Sequence, residues 1–281
     1  MDRLTISSSV LLSSGYPIPR LGFGVYQNYT ADTSVLEAFT AGYRHVDSAQ
    51  AYRNEHKVGL AVKQSGLNRE DIFLTTKCIS KTHGYESTLK GVNKSLEAFG
   101  VDYIDLFLIH NPHSGKDLRL ATYRALQDAR KAGKIRTVGV SNYGVHHLEE
   151  IRDAGLEAPS VNQIELHPFC QQHPIVAYCN QHGIVVQAYC PIKRIVRDIN
   201  DDSTKPFRDL GQKYGKDPAQ IALRWSLQKG FVPLVKSEQP ERIRSNADLY
   251  DFHLAEEDMA LLDGLDMAEK GAISWNPVDV D

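Results

Sequence analysis

The chain has 281 residues, of which 42% are hydrophobic and 24% charged, and its formal net charge is -3. This composition is typical of a globular protein with a sizeable core and excludes a disordered or fibrous chain. The slightly acidic balance, without a block of Lys and Arg, gives no electrostatic footprint for nucleic acid or an anionic membrane. We therefore expect neither as a partner.

The cysteines and the N-terminal segment bear on the compartment. The cysteines form no CxxC pair, which is typical of reduced thiols in a cytosolic protein. The segment MDRLTISSSVLLSSG has no basic region followed by a long apolar run, and nowhere do eighteen apolar residues follow one another. We therefore predict a cytoplasmic protein without a membrane span. The four cysteines are Cys78, Cys170, Cys179 and Cys190.

In chain order, residues 4–19 come first, and their pattern predicts a short hairpin that plugs the bottom of the fold. Beyond them, short apolar runs alternate with amphipathic helix patterns, as expected for parallel strands joined by crossover helices. Eight such units can close into a ring, so we predict an α/β fold, a (β/α)8 TIM barrel forming a single domain over residues 1–281. The predicted strands are residues 20–24, 43–47, 72–77, 103–110, 135–140, 161–166, 184–189 and 231–236.

Two segments between these strands carry further predictions. The interval from Tyr189 to Phe231 is longer than the others and contains IKRIVRDINDDSTKP, which predicts a functional loop over the mouth of the barrel. Trp225, in ALRWSLQKG, is expected in the core. A helix pattern that ends at a glycine precedes the fourth strand: Leu89, Val92, Leu96, Phe99 and then Gly100.

Titratable side chains follow the C-terminal ends of three successive strands. Asp47 and Tyr52 follow the second, Lys77 closes the third and His110 closes the fourth. Because these ends share one face in a barrel, we expect the four side chains to meet at one mouth. For Tyr52 to donate a proton near neutral pH, its phenol, with a reference pKa of about 10, needs a nearby cation, and Lys77 is the candidate.

Several motifs, in the order of successive strands, resemble those of the aldo-keto reductases: GYRHVDSAQAYRNE, LTTKCIS, LFLIHNP, IRTVGVSNY and VPLVKSEQPERIRSN. The resemblance extends from PRLGFGVYQ to SWNP and is that of a short-tailed microbial member. It implies an NADPH-dependent carbonyl reductase, an oxidoreductase that transfers hydride to an aldehyde or ketone to give an alcohol. The implied catalytic residues are Asp47, Tyr52, Lys77 and His110.

The chemistry of these side chains fits those roles. Hydride arriving at a carbonyl carbon leaves negative charge on the oxygen, to which the Tyr52 hydroxyl can donate a hydrogen bond and then its proton. Lys77 would lower the pKa of the phenol and Asp47 would hold Lys77 in place. A neutral His110 would orient the carbonyl oxygen through a ring N–H.

The cofactor site does not follow the Rossmann pattern, since GFGV lacks the third glycine and opens no helix. In barrels, phosphate commonly binds near the loops after strands seven and eight, where Lys236, Ser237 and Arg242 cluster. This cluster suits the 2′-phosphate of NADP, so we predict a preference for NADPH. Glu238 beside it would weaken that preference, which keeps NADH open as a second cofactor.

The resemblance also implies the remaining contacts of the cofactor. Ser141, Asn142 and Gln163 would bind the nicotinamide carboxamide, and Tyr189 would stack on its ring. Asn246 would reach the adenine, although Ser245 stands where the family often has Glu. The complete implied set is Gly24, Val25, Tyr26, Asp47, Ser141, Asn142, Gln163, Tyr189, Cys190, Ile192, Lys236, Ser237, Arg242 and Asn246.

The substrate pocket is expected to be open. Many relatives carry Trp directly after the catalytic histidine, where this chain has Asn111, and Trp275 in the tail would supply an aromatic wall instead. A small carbonyl compound is the expected partner of a monomeric enzyme: an aldehyde, a keto ester or a sugar-derived carbonyl. The implied substrate-binding residues are Tyr26, Tyr52, His110, Asn111 and Trp275.

Simpler interpretations and two other classes of protein compete with this one. Asp47 and Lys77 can be a rim ion pair, His110 and Tyr189 can be core residues, and Asn142 can merely start a helix. A metal-dependent hydrolase would need a convergent ligand set, but HNPH, HH and HPFC lack ligand spacing, so no metal site is predicted. A noncatalytic nucleotide sensor would keep the fold, yet it has no need for all four catalytic residues.

Overall fold

The structure, a computed structural model, describes residues 4–281, apart from the side chains of residues 193 and 194. Outside this description lie residues 1–3, where the N-terminal segment considered above begins, and the two side chains in the predicted mouth loop. Strands β1 (Ser9–Leu11) and β2 (Pro17–Pro19) pair antiparallel, as predicted for the N-terminal hairpin.

The next eight strands form a closed parallel barrel, and each pairs with its neighbours in sequence. The ring closes where β10 pairs with β3 and Leu234 lies opposite Gly22. The predicted (β/α)8 barrel is confirmed, with strand ends shifted by no more than two residues. The barrel strands are β3 (Gly22–Gly24), β4 (His45–Asp47), β5 (Phe73–Cys78), β6 (Ile104–Ile109), β7 (Ile135–Ser141), β8 (Val161–Glu165), β9 (Val185–Tyr189) and β10 (Val232–Val235).

Helices cover the outside of the barrel. The predicted helix before the fourth barrel strand ends at Gly100, whose φ of 67° lets its N–H bond back to Leu96 and Glu97. The helices are α1 (Ala31–Thr40), α2 (Glu55–Gln64), α3 (Tyr85–Phe99), α4 (Lys116–Lys131), α5 (Val145–Asp153), α6 (His173–Gln181), α7 (Lys193–Arg197), α8 (Lys205–Tyr214), α9 (Pro218–Gln228), α10 (Pro240–Ser245) and α11 (Glu256–Asp263).

The core has two parts. Every residue of β5 and β6 is buried, because one face of each strand packs inside the barrel and the other beneath the helices. Trp225 lies in the larger of the two hydrophobic clusters and is fully buried, as predicted. A second cluster fills the bottom of the barrel, where the hairpin packs its apolar residues against the strands: Leu12, Ile18, Phe73, Leu106, Leu108 and Val161.

The segment after β9 is more regular than the predicted mouth loop. It contains α7, a short turn at Asp202–Thr204 and α8. Ile195 is buried and α7 packs against α9. The Thr204 hydroxyl donates to the carbonyl of Asp198 at 2.8 Å, and Arg208 donates to the carbonyl of Asp201 at 3.0 Å. Both carbonyls thus have hydrogen-bond donors within the segment.

Candidate active site

Lys77 is the centre of the group of side chains at the C-terminal face. Its Nζ donates to Asp47 Oδ1 at 2.5 Å, to the Ser48 carbonyl at 2.9 Å and to the Tyr52 hydroxyl at 3.4 Å. The His110 ring stands nearly perpendicular to that of Tyr52, with 5.7 Å between the ring centroids. The structure therefore brings together the four residues that follow three different strands.

The electrostatics of Tyr52 differ from the sequence expectation. Burial, followed by the Asp47 carboxylate, raises the pKa of Tyr52 well above its ordinary value. The expectation of a lowered pKa is wrong for this structure, because burial, the largest cause, and then the Asp47 carboxylate outweigh the stabilisation of a phenolate by the Lys77 ammonium. Tyr52 consequently remains a phenol at neutral pH, which is the form that can donate a proton.

Burial also controls Lys77 and His110. It lowers the pKa of Lys77, while the adjacent Asp47 carboxylate opposes that shift. Burial and the charge of Lys77 lower the pKa of His110 to about 3, so the imidazole is neutral at physiological pH, as predicted. The site thus combines a neutral imidazole, a neutral phenol and one paired ammonium.

A series of hydrogen-bonded polar side chains inside the barrel contacts Asp47 through its second carboxylate oxygen. Gln163 Nε2 donates to Asp47 Oδ2 at 2.8 Å and to Gln187 Oε1 at 3.0 Å. Gln187 Nε2 in turn lies 3.5 Å from His45 Nε2. Gln187 and His45 were not predicted, although a polar residue in an otherwise apolar buried strand is a usable signal, since it must find a partner. The two bonds use both protons of the Gln163 amide, and no hydrogen bond among the described residues engages its oxygen.

Asn142 joins the remaining residues expected at the nicotinamide. It follows β7 with a φ of 62°, and its Nδ2 donates to the His110 carbonyl at 3.0 Å. Its Oδ1 accepts from the Tyr189 hydroxyl at 2.8 Å, while Ser141 Oγ donates to the Gln163 carbonyl at 2.8 Å. Asn142 and Tyr189 are therefore more than a helix start and a core aromatic, because they tie three strand ends together.

Four other predicted cofactor residues lie at strand ends. Gly24 ends β3, and the next residue, Val25, is buried and donates its N–H to the Asp47 carbonyl at 3.0 Å. Cys190 follows β9 with a φ of 53°, and the partly buried Ile192 packs against the core. The backbone turns sharply here, directly after Tyr189.

The predicted phosphate residues follow β10. The side chains of Lys236 and Arg242 reach the surface, and Arg242 forms no ion pair within residues 4–281. Lys236 Nζ lies 3.9 Å from Glu238 Oε2, and Glu238 Oε1 accepts from the N–H of Tyr29 at 2.6 Å. Ser237 is buried beside them, and Asn246 is buried at the end of α10. The start of α10 thus offers two cations and one competing carboxylate.

Aromatic rings lie beside Tyr52 and His110 at the mouth of the barrel. The Tyr26 ring lies 5.1 Å from that of Tyr52, and the Trp275 ring lies 6.3 Å from that of His110. Trp275 also lies 5.3 Å from His113, which sequence reasoning missed. Asn111 is buried and accepts from the N–H of His113 at 3.1 Å, so it shapes the turn that presents His113.

Metal centres and membrane spans are two features that the geometry can also reveal. Across residues 4–281, no three His, Cys, Asp or Glu side chains converge as they would to hold a metal ion. No helix in that range is both long enough and apolar enough to cross a membrane.

Comparisons with known proteins were consistent with one another. Residues 21–267 match the model of the Aldo/keto reductase family. The chain is 42% identical to the glyoxal reductase of Bacillus subtilis over 270 residues, covering 95% of each chain. It resembles the structure of an aldo-keto reductase enzyme from a Medee basin deep-sea metagenome library with a TM-score of 0.91 and 39% identity, covering 98% of this chain and 100% of that one. For the aldo-keto reductase of Bombyx mori in complex with NADP, the TM-score is 0.86 at 33% identity, over 94% of each chain.

Proposed function

The chain belongs to the aldo/keto reductase family of oxidoreductases, which reduce carbonyl groups, and we propose that it is an NADPH-dependent carbonyl reductase with Tyr52 as its proton donor. The observation that carries this proposal is the contact of the Lys77 ammonium with both Asp47 and the Tyr52 hydroxyl, beside a neutral His110. A simple rim ion pair has no need of a partly buried phenol and imidazole at the same point.

The residues at the mouth fit a nicotinamide. The free oxygen of Gln163 can accept from the carboxamide, Asn142 and Ser141 are fixed beside it, and Tyr189 offers a flat ring face. When bound, NADPH supplies the hydride that reaches the carbonyl carbon.

Tyr52 completes the reduction at the carbonyl oxygen. As that oxygen gains negative charge, the Tyr52 hydroxyl donates a hydrogen bond and then its proton, which gives the alcohol. The phenolate that remains is stabilised by the Lys77 ammonium at 3.4 Å, and Asp47 keeps that ammonium in place. His110 holds the carbonyl oxygen on the side of Tyr52.

NADPH preference is proposed from the residues after β10. Lys236, Ser237 and Arg242 can bind the 2′-phosphate, with Arg242 available for a two-pronged contact. The Glu238 carboxylate near Lys236 opposes a phosphate and would favour a ribose hydroxyl, so NADH is a second cofactor. The relative from Bombyx mori whose structure contains NADP supports this choice.

The proposed substrate class rests on the exposed aromatic side chains at the mouth of the barrel. Tyr26 and Trp275 are about half exposed, at 54% and 49%, and leave the Tyr52 hydroxyl accessible between aromatic walls. We propose small aldehydes and ketones, including dicarbonyl compounds, keto esters and sugar-derived carbonyls, and a relative named glyoxal reductase supports the first of these. We also propose that the chain acts as a monomeric single-domain enzyme of the cytoplasm.

A direct assay tests the activity. Purified protein is mixed with NADPH and a panel of aldehydes, ketones and keto esters, and the absorbance of the reduced cofactor is followed. Consumption that requires both substrate and protein, with stoichiometric alcohol formation, is the expected result. Tight NADPH binding without consumption for any carbonyl would instead indicate a noncatalytic nucleotide sensor.

A further inference from the structure

We infer that Glu165 is a positioning residue. It holds the C-terminal tail, residues 272–281, in place and thereby positions Trp275 to contact the flat apolar group of aromatic carbonyl substrates. The inference rests on the proposed function for its substrate readout. Glu165 ends β8, and its side chain is fully buried. The proposed reaction gives it no part in catalysis, so a buried carboxylate at this mouth requires another explanation.

The carboxylate of Glu165 accepts hydrogen bonds from the tail itself. Its Oε1 accepts from the N–H of Ile273 at 2.6 Å, and its Oε2 accepts from the N–H of Ser274 at 2.9 Å. His167 Nε2 lies 3.1 Å from Oε1 and adds a third donor. Because a buried carboxylate is stable only with several donors, these contacts explain how the charge is tolerated. They fix the N–H groups of the two residues directly before Trp275.

The residue directly after Trp275 is held from the same place. Gln172, which has a φ of 50°, donates from Nε2 to the Glu165 carbonyl at 2.8 Å and to Asn276 Oδ1 at 3.1 Å. The backbone and side chain of Glu165 are thus both connected to the tail, on either side of Trp275. The backbone on either side of Trp275 therefore cannot shift relative to β8 without breaking these bonds.

The far end of the tail is tied to α4 and α5. Added side-chain bulk at Gly144 would collide with the carbonyl of Val278. His147 Nε2 lies 2.7 Å from the Val280 carbonyl, and Arg119 donates to the Asp281 carbonyl at 3.1 Å. With both ends fixed, the local anchor at Glu165 decides where the Trp275 ring stands.

This placement has a consequence for substrate choice. Trp275 stands edge-to-face with His110 and tilted toward His113, while about half of its surface is open. A substrate with a flat apolar group can pack against that open surface when its carbonyl reaches Tyr52. A two- or three-carbon dicarbonyl compound is too small to fill both places. Glu165 should therefore matter for aromatic aldehydes and matter little for small ones.

Glu165→Gln is the test, because it keeps the shape but turns one acceptor oxygen into an NH2 group that faces a backbone N–H. The expected structural result is faster hydrogen exchange, about 10-fold or more, at the amides of residues 273 and 274. The fluorescence of Trp275, obtained by subtracting the spectrum of Trp275→Ala, should change as well. These two measurements need no turnover, so they decide the anchoring role even if no carbonyl is reduced.

The kinetic result separates positioning from general damage. We expect the KM for 4-nitrobenzaldehyde to rise about 5-fold, the size of one lost aromatic contact, while the KM for methylglyoxal stays within about twofold. Because Glu165 acts through Trp275, adding Glu165→Gln to Trp275→Ala should not raise the KM for 4-nitrobenzaldehyde further. Additive effects would overturn the proposal.

Asp105→Asn is the matched control. Asp105 is also a buried carboxylate that accepts from a backbone N–H, that of Leu74 at 3.0 Å, but it lies near the start of β6 at the opposite end of the barrel. It should lower stability without changing the ratio of the two KM values. If Asp105→Asn shifts this ratio as Glu165→Gln does, or if exchange at 273 and 274 is unchanged in Glu165→Gln, the inference is refuted. Absence of all reduction by the unmodified protein would instead count against the proposed function.

Discussion

Lys77 and Asp47 form a buried ion pair in which Nζ lies 2.5 Å from Oδ1, and both side chains are at least 95% buried. The second oxygen of Asp47 accepts from Gln163, so the carboxylate links the ammonium to the residue expected at the nicotinamide. Burial alone lowers the pKa of Lys77, and the carboxylate counteracts it. The ammonium charge that we propose stabilises a Tyr52 phenolate therefore depends on Asp47.

Asp47→Asn should make the reaction sensitive to alkaline pH. Without the carboxylate, burial lowers the pKa of Lys77 further, so the ammonium loses its proton as the pH rises through that lower value. We expect kcat to fall by about 10- to 100-fold at neutral pH, and to recover partly at acidic pH. A pH profile of kcat for both proteins checks this. An equal loss at every pH would show that Asp47 acts by geometry and not through the charge of Lys77.

Tyr52→Phe should remove carbonyl reduction while cofactor binding remains. The phenyl ring keeps the contacts with Tyr26 and His110 but has no proton to donate. General acid catalysis is worth about 100- to 10,000-fold, so we expect kcat to drop by that factor. Fluorescence titration with NADPH should give a dissociation constant within about twofold of the original. A comparable loss of NADPH affinity would contradict the role assigned to the hydroxyl.

His45 should contribute to acid sensitivity of the fold. Burial, and then the charge of Lys77, lowers its pKa to about 3. A folded-state pKa below the unfolded value of about 6.5 means that stability is complete above pH 6.5 and is lost as the pH falls towards 3. From pH 7 to pH 5 the cost is about 2 kcal/mol for this one residue.

Urea unfolding of His45→Gln at the two pH values measures that cost. The variant should lose about 2 kcal/mol less than the original protein between pH 7 and pH 5. His56→Gln, the same substitution at an exposed position on α2, is the control for the effect of the substitution itself. If His45→Gln and the original protein lose stability in parallel, His45 does not titrate in this way.

The barrel and the group of side chains that meets at its mouth could be predicted because their signals are local. Strands buried on both faces leave continuous apolar runs such as LFLI in β6, and the residue that ends such a run must lie at the mouth. Gln187 and Glu165 were missed because their partners are remote. Glu165 meets Ile273, 108 residues away, and no spacing rule predicts that contact. The direction of the Tyr52 pKa shift was wrong for a similar reason, since the depth of burial is a property of the folded chain.

Arg242→Ala should discriminate between the two nicotinamide cofactors. Arg242 is exposed on α10 and forms no ion pair within the described residues, so the guanidinium is available to a phosphate. Losing a charged hydrogen bond to the 2′-phosphate should raise the dissociation constant of NADPH about 10-fold or more and that of NADH by less than about twofold. Titration with each cofactor gives both constants. Equal weakening would remove Arg242 from the phosphate site.

Glu238→Gln should strengthen the NADPH preference. The Glu238 carboxylate lies 3.9 Å from Lys236 Nζ and competes with a 2′-phosphate for that cation, while its other oxygen accepts from the Tyr29 N–H at 2.6 Å. Glutamine can keep the bond to Tyr29 through its amide oxygen but carries no charge. Because an exposed like charge costs about 0.5–1 kcal/mol, the dissociation constant of NADPH should fall about two- to fivefold and that of NADH should not fall. Glu241→Gln removes an exposed carboxylate from the first turn of the same α10 and serves as the control. If Glu241→Gln improves NADPH binding equally, the net charge near α10, and not the contact of Glu238 with Lys236, determines the preference.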